Sequence, residues 1–169
     1  MRILVTGGTG LLGHWIVKML SERGFNVIAT YHRKNPRLNR MNVMWTKLDL
    51  EKPEEILEVV RRTKPEAIIH TAAYTDVDGC EANKEKAYKV NVLGTRGLAK
   101  LCLKLNLRFI YISTDYVFDG SKGMYFESDI PNPVNFYGLT KLLGEESVAS
   151  ACRNYVIAVS YTHLTLPTN

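Results

Sequence analysis

Short apolar runs alternate along this chain with stretches whose apolar residues recur at helical spacing. Ile3-Leu4-Val5 reads as a first strand that ends in glycines at 7, 10 and 13. From Gly10 onward Leu11, Leu12, Trp15, Ile16, Met19 and Leu20 fall on one helical face, and Gly24 follows as a C-terminal cap. Residues 25–30 predict a second strand and Val43-Met44-Trp45 begins a third. Pro53 suits the first turn of a helix, with Glu54 and Glu55 near its start and Arg61 and Arg62 near its end complementing the dipole. Ala67-Ile68-Ile69-His70 is short and apolar enough for a buried parallel strand. One long helix is predicted from about residue 83 to residue 105, its inner face marked by Ala87, Val90, Asn91, Gly94, Leu98, Leu101 and Leu105. Residues 108–112 give a fifth strand ending at Ser113-Thr114, residues 135–150 a further helix, and residues 155–159 a sixth strand. This alternation predicts an α/β fold, a doubly wound parallel sheet with helices on both faces and ligands bound beyond the carboxyl ends of its strands.

Composition narrows the picture modestly. At 169 residues and 46% hydrophobic, the chain fills one domain, here residues 1–159, leaving 160–169 as an irregular and non-native-looking tail. The net charge is +5, yet the basic residues are dispersed, and the densest group, Arg33, Lys34, Arg37 and Arg40, lies in one connection. That favours a small phosphate-bearing ligand and no nucleic acid. Cys80, Cys102 and Cys152 are widely spaced and form no Cys-x-x-Cys pair, which suits reduced thiols and implies neither a disulfide framework nor zinc. No apolar run is long enough for a signal-peptide core or a membrane span, so a cytoplasmic protein is expected.

The glycine run makes the fold Rossmann-like. Glycines between a strand and a helix permit a tight turn and close approach of the backbone to a pyrophosphate, whose charge meets the free N–H groups of the helix. Gly7, Thr9, Gly10, Leu11, Leu12 and Gly13 are therefore candidate cofactor-binding residues. After the second strand, an acidic residue would hold the adenosine ribose of NAD, but the chain has Tyr31-His32-Arg33-Lys34. Arg33 is the candidate ligand of a 2′-phosphate, so NADP(H) is favoured, with NAD(H) left open. Asp49 and Leu50 offer a carboxylate and an apolar side chain to an adenine, although Asp49 serves equally well as a helix cap. Ala72, Ala73 and Tyr74 follow the fourth strand, where small residues admit a ligand. Asp76, Asp78 and Glu81 lack the further ligands of a calcium loop, so no metal site is expected. Asn91, polar among apolar neighbours, reads as a satisfied core amide, with the holding of an ordered water beside the site as its alternative.

Tyr137 and Lys141 stand four residues apart, which puts a phenol and an ammonium on one helix face. That spacing carries little by itself, but it falls in the helix after the Ser113-Thr114 strand of a chain that already has a dinucleotide turn. Thr6-Gly-Gly-Thr-Gly-Leu-Leu-Gly13, residues 113–120 and Tyr137-Gly-Leu-Thr-Lys141 together resemble the extended short-chain dehydrogenase/reductases, in particular the dTDP-4-dehydrorhamnose reductases among them. The resemblance spans about residues 1–158. It implies an NAD(P)-dependent oxidoreductase of nucleotide-sugar biosynthesis that reduces a sugar 4-keto group, with Tyr137 supplying the proton, Lys141 holding the nicotinamide ribose and Thr114 hydrogen-bonding the carbonyl oxygen; Ser113 is the second choice. A lysine cation beside the phenol is expected to bring its pKa down toward working pH. Related sugar dehydratases often carry Asp-Glu after the Thr, whereas Asp115-Tyr116 here favours simple reduction.

The regulatory subunit of methionine adenosyltransferase resembles the same reductases and acts by binding a partner, so a non-catalytic dinucleotide-binding subunit is the alternative. Family members also continue past the sixth strand into a smaller substrate-binding region, which is expected to be missing here. The 169 residues alone are then expected to bind NADP(H) while turning over poorly, because the walls that orient the sugar are absent. Apolar surface left uncovered could favour association, a homodimer being the simplest case.

Overall fold

The computed structural model describes residues 1–36 and 38–160. Arg37 of the basic connection and residues 161–169 of the expected tail lie outside the described residues. The elements are β1 (Arg2–Thr6), α1 (Leu11–Glu22), β2 (Asn26–Tyr31), β3 (Val43–Lys47), α2 (Pro53–Thr63), β4 (Ala67–His70), α3 (Val77–Ala82), α4 (Lys84–Ala87), a π-helical segment (Tyr88–Gly94), α5 (Thr95–Leu105), β5 (Arg108–Thr114), a 3₁₀ turn (Asp115–Val117), α6 (Phe136–Ala151) and β6 (Tyr155–Ser160).

All six strands are parallel, in the order β3-β2-β1-β4-β5-β6. Strand order reverses between β1 and β4, which opens the crevice where such sheets bind ligands. Ser160, assigned to the tail from sequence, instead closes β6 opposite Thr114.

Side-chain alternation along the strands builds a core on each face of the sheet. Leu4, Ile28, Ile68, Phe109 and Tyr111 pack with Ile56, Val59 and Val60 of α2, Leu98 and Cys102 of α5 and Val148 of α6. Ile3, Val5, Val27 and Ala29 point the other way and meet Val17 of α1. Helices therefore cover both faces, as the doubly wound pattern requires. On the edge strand β6, Tyr155, Val156 and Val159 remain exposed.

The helix expected over residues 83–105 runs without a gap from Lys84 to Leu105, but not as a uniform α-helix. Asn83 caps α4 by accepting from the Lys86 N–H, and residues 88–94 then widen into a π-helical turn before α5. Where it returns to α5, the Thr95 hydroxyl donates to the Asn91 carbonyl at 2.6 Å and the Thr95 N–H to the Val92 carbonyl. Gly94 lets this turn approach Leu50, since a Cβ there would sit 2.9 Å from the Leu50 Cβ. Asn91 is a satisfied core amide. Its Oδ1 accepts from the Tyr74 N–H at 2.7 Å, and its Nδ2 donates to the Tyr74 carbonyl and to Thr140 Oγ1, each at 3.0 Å.

The acidic residues set aside as metal ligands have structural work. Asp76 caps α3 by accepting from the Gly79 N–H, and Glu81 accepts from the N–H of Phe136 at the start of α6. Nor does Asp49 cap α2: it accepts from the Glu51 N–H in a turn ahead of the helix, whose N-cap is Lys52.

Replacing Asn91 with Ala would leave both backbone groups of Tyr74 and the Thr140 hydroxyl without their buried partner. Asn91→Ala is expected to cost about 2–3 kcal/mol in urea unfolding, on a scale of about 1–3 kcal/mol per abandoned buried group. A loss under about 0.5 kcal/mol would show that solvent replaces the amide.

Candidate active site

The glycine turn is held by contacts that exclude any larger side chain. Gly7 has φ +71°, and a Cβ there would lie 2.9 Å from the backbone of Ala72, while a Cβ on Gly13 would run into the Gly7 carbonyl oxygen. Thr71 ties this packing together by donating from Oγ1 to the Thr6 carbonyl at 2.6 Å. Gly10 is the N-cap of α1, makes no side-chain cap, and is followed by no acidic residue in the first turn. The opening N–H groups of α1, at Leu11, Leu12 and Gly13, are thus left for an anion at the positive end of the helix dipole.

Two adjoining hollows run along the carboxyl ends of the strands and share Gly7, His32, Arg33, Ala72 and Ala73. The larger, about 980 Å³, is lined by Thr9, Gly10, Leu11, Leu12 and Gly13 on one side and by Thr114, Tyr137 and Lys141 on the other. The smaller, about 220 Å³, lies beside β2 and β3 and is walled by Leu48, Asp49, Leu50 and Tyr74. Its volume and its apolar side chains, Leu48 and Leu50, suit a heterocycle. The residues nominated from sequence are thereby gathered into one continuous trough, with exposed Arg33 where the hollows meet. Sequence reasoning passed over Lys86 and did not foresee that His32 would face Asp49. His32 Nε2 lies 3.6 Å from the Asp49 carboxylate, and Lys86 Nζ stands 4.7 Å from the centroid of the Tyr74 ring.

The far end of the trough is built by β5 and α6. Asn135 caps α6 by accepting from the Gly138 N–H at 2.8 Å, and Gly138 lets the helix press on the Tyr116 carbonyl, which a Cβ would strike. Tyr137 is 9% exposed and its ring meets Tyr116 edge-on, with centroids 5.8 Å apart. Lys141 is 4% exposed; its Nζ donates to the Ile112 carbonyl at 2.7 Å and stands 4.1 Å from the centroid of the Tyr111 ring.

These surroundings reverse one expectation from sequence. Burial raises the Tyr137 pKa above the usual phenol value; the nearby Thr114 hydroxyl pulls the other way, and Cys80, Asp115 and Tyr116 add to the rise. Lys141 does not bring it down, because burial drives its own pKa to about 7 against the opposing pull of Glu145. At neutral pH the phenol is protonated and the lysine is poised between charged and neutral.

Ser113 is engaged elsewhere, its hydroxyl donating to the Glu145 carboxylate. Glu145 was missed from sequence although residues 137, 141 and 145 continue one spacing along a single helix face, which is the signal that could have found it.

A family model described as the RmlD substrate binding domain matches residues 1–161. The chain belongs to this family. Among RmlD-domain relatives, the probable low-salt glycan biosynthesis reductase Agl14 of Haloferax volcanii is 41% identical over 149 residues, covering 88% of this chain and 49% of that protein. Methionine adenosyltransferase 2 subunit beta of Xenopus tropicalis is 38% identical over 148 residues, covering 87% of this chain and 42% of its own length. The dTDP-4-dehydrorhamnose reductase of Bacillus anthracis, solved in complex with NADP, superposes with a TM-score of 0.80 at 32% identity, over 94% of this chain and 52% of that one. The chain thus spans about half the length of the relatives it matches, and the motifs read from sequence led to the same family.

Lys141 leaves a thermodynamic signature. Its pKa is about 7 in the fold against 10.5 for an ordinary lysine, so between those values the unfolded chain holds the extra proton and stability rises with pH. Below that window both states are protonated and the contribution is flat. Lys141→Met is expected to flatten the rise in unfolding free energy between pH 7 and pH 10; the same slope in both proteins would rule this out.

Proposed function

We propose that this chain is the cofactor-binding half of an NAD(P)H-dependent reductase acting on the 4-keto group of a nucleotide-activated deoxysugar. The observation that carries the reading is the meeting of Thr114, Tyr137 and Lys141 at one end of a trough whose other end is a glycine turn and an unoccluded helix N-terminus. The residues fit a nicotinamide dinucleotide: the turn has no room for a Cβ at Gly13, the opening N–H groups of α1 are available to a pyrophosphate, and Leu48 and Leu50 flank a hollow of heterocycle size. When bound, that group supplies the hydride.

The protein's own part is acid catalysis and charge stabilisation. Tyr137, kept protonated by burial, has a proton to give to the oxygen of the ketone as negative charge develops there. Thr114 can donate a hydrogen bond to the same oxygen. Lys141, with a pKa of about 7, is suited both to holding a ribose hydroxyl and to passing a proton toward the phenol. Arg33, with His32 and Lys34 beside it, supports a preference for the 2′-phosphate of NADP(H). A cytoplasmic location belongs to the same proposal. It is supported by three buried free cysteines and by the finding that no helix among the described residues is long and apolar enough to cross a membrane.

A second reading, a dinucleotide-binding regulatory subunit, is favoured by one observation, the 38% identity to methionine adenosyltransferase 2 subunit beta. Full-length parent protein incubated with NADPH and a dTDP-4-keto-6-deoxysugar separates the two. Loss of the cofactor's absorbance is expected, and Tyr137→Phe should slow it by about 10²–10⁴-fold. Cofactor binding without oxidation across several 4-keto nucleotide sugars would overturn the reductase reading in favour of the regulatory one.

Arg33→Ala tests the cofactor preference separately. It is expected to weaken NADPH binding about tenfold or more while leaving NADH binding within about twofold, as for loss of one charge-assisted phosphate contact worth about 1.5–3 kcal/mol. Equal weakening of both would argue against a 2′-phosphate ligand.

A further inference from the structure

Two consecutive residues at the end of β5 each engage α6 at a different level. The Ile112 carbonyl accepts from Lys141 Nζ at 2.7 Å, and Ser113 Oγ donates to the Glu145 carboxylate. The helix partners are four residues apart and lie on one face. We infer that Glu145 is a positioning residue of the site: clasped by Ser113, it fixes the roll of α6 on the end of β5 and holds a negative charge behind Lys141. This rests on reading Tyr137 and Lys141 as the reactive pair.

The geometry explains why both contacts are needed. A single bond between the strand and Lys141 would leave α6 free to turn about that point, and a roll that moved Lys141 would carry Tyr137 with it, since the two share a face. A second clasp one residue along the strand and one turn along the helix removes that freedom. Gly144 completes the fit, because a Cβ there would strike the Tyr111 hydroxyl. Glu145 stands outside the residues that wall the trough, so it acts through Lys141 rather than on a ligand.

The electrostatic role follows from the neighbours of the lysine. β4 brings His70, whose own pKa Lys141 depresses, and β5 brings the aromatic ring of Tyr111. Around Tyr137, α3 contributes Cys80 and the 3₁₀ turn contributes Asp115 and Tyr116, while Glu146 acts on Glu145 from its own helix. Of these groups Glu145 is the one that favours the charged form of Lys141. The Ser113 hydroxyl in turn favours the carboxylate form of Glu145 against its burial.

The test follows the Lys141 side chain directly, by NMR titration of the chain labelled with ¹³C at the lysine ε-carbons, with Lys141→Met to assign the resonance. Glu145→Gln should shift the Lys141 midpoint down by about one pH unit or more, the scale on which a neighbouring opposite charge moves a pKa. Ser113→Ala, a gentler change, should shift it the same way by less, because the carboxylate loses its donor and protonates more readily. A purely structural Glu145 would leave both midpoints where the unaltered protein has them, and an unchanged midpoint in either folded variant overturns the inference. If Glu145→Gln does not fold, Ser113→Ala decides. NADPH fluorescence titrations run on the same samples keep the two claims apart: absence of dinucleotide binding by the unaltered protein counts against the proposed function, whereas the Lys141 titration judges Glu145 whatever binds.

Discussion

His70 ties together the two strands on either side of the point where strand order reverses, and it does so as a neutral ring. Thr95 Oγ1 gives its proton to the Asn91 carbonyl, so it can only accept from His70 Nε2–H at 3.0 Å; Nδ1 must then accept from Thr6 Oγ1 at 2.6 Å. Complete burial, with Lys141 nearby, lowers the ring's pKa to about 3, which keeps it in this state at any physiological pH. Thr6 Oγ1 also accepts from the Ala72 N–H, so the same chain of bonds places the floor of the dinucleotide trough. At its other end Asn91 reaches Thr140, which donates to the Tyr137 carbonyl. Glycine turn, trough floor and reactive helix are thus registered against one another by buried groups whose donors and acceptors are matched, and a buried network of this kind is rigid only when every member is satisfied.

Close approach is the second requirement, and α6 is composed for it. Gly138, Thr140, Gly144 and Ser147 form much of its buried side, where α2 and α5 present Ile, Val and Leu. Small residues let the backbone of α6 sit directly on Tyr116 and Tyr111. The helix gives up apolar burial in exchange for bringing a phenol and an ammonium to the end of β5.

The contrast explains what was legible in the sequence. Residues 67–70 were placed without error because a four-residue apolar run between polar flanks has few other readings, and α1 and α2 announced themselves through glycine, proline and terminal charges. The long helix after residue 83 was legible in extent, but its π-helical stretch at residues 88–94 was not, because apolar periodicity does not register a local change in hydrogen-bond spacing. α3 was passed over because Asp76, Asp78 and Glu81 were weighed only as metal ligands and set aside on spacing, whereas Asp76 caps the helix and Glu81 accepts from Phe136. The residues nominated from sequence all fall in the trough, since its glycines and small residues are local signals, whereas Lys86 and Thr71 gave none. The pKa of Tyr137 was foreseen with the wrong sign, because burial dominates its shift and the helical spacing of the pair does not show how deeply the phenol is buried. Glu145 lay on a visible spacing but became meaningful only when β5 was seen to clasp it.

Lys141 also bears on the choice between a reductase and a binding platform. An amine taken out of water is costly unless paired, and an apolar side chain of similar volume usually packs there at no loss of stability. A protein that used this fold only to bind a dinucleotide and a partner can set this lysine on the ribose, but gains nothing from burying it to 4% exposure until its pKa falls to about 7. Chemistry does gain, because the arrangement sets an ammonium near its titration point beside a protonated phenol, and perturbed groups gathered in a cleft are the usual mark of proton transfer. The tuning of Lys141 weighs toward catalysis more than the cradle does, since both readings can use a lysine on the ribose and only proton transfer uses one with a pKa of about 7.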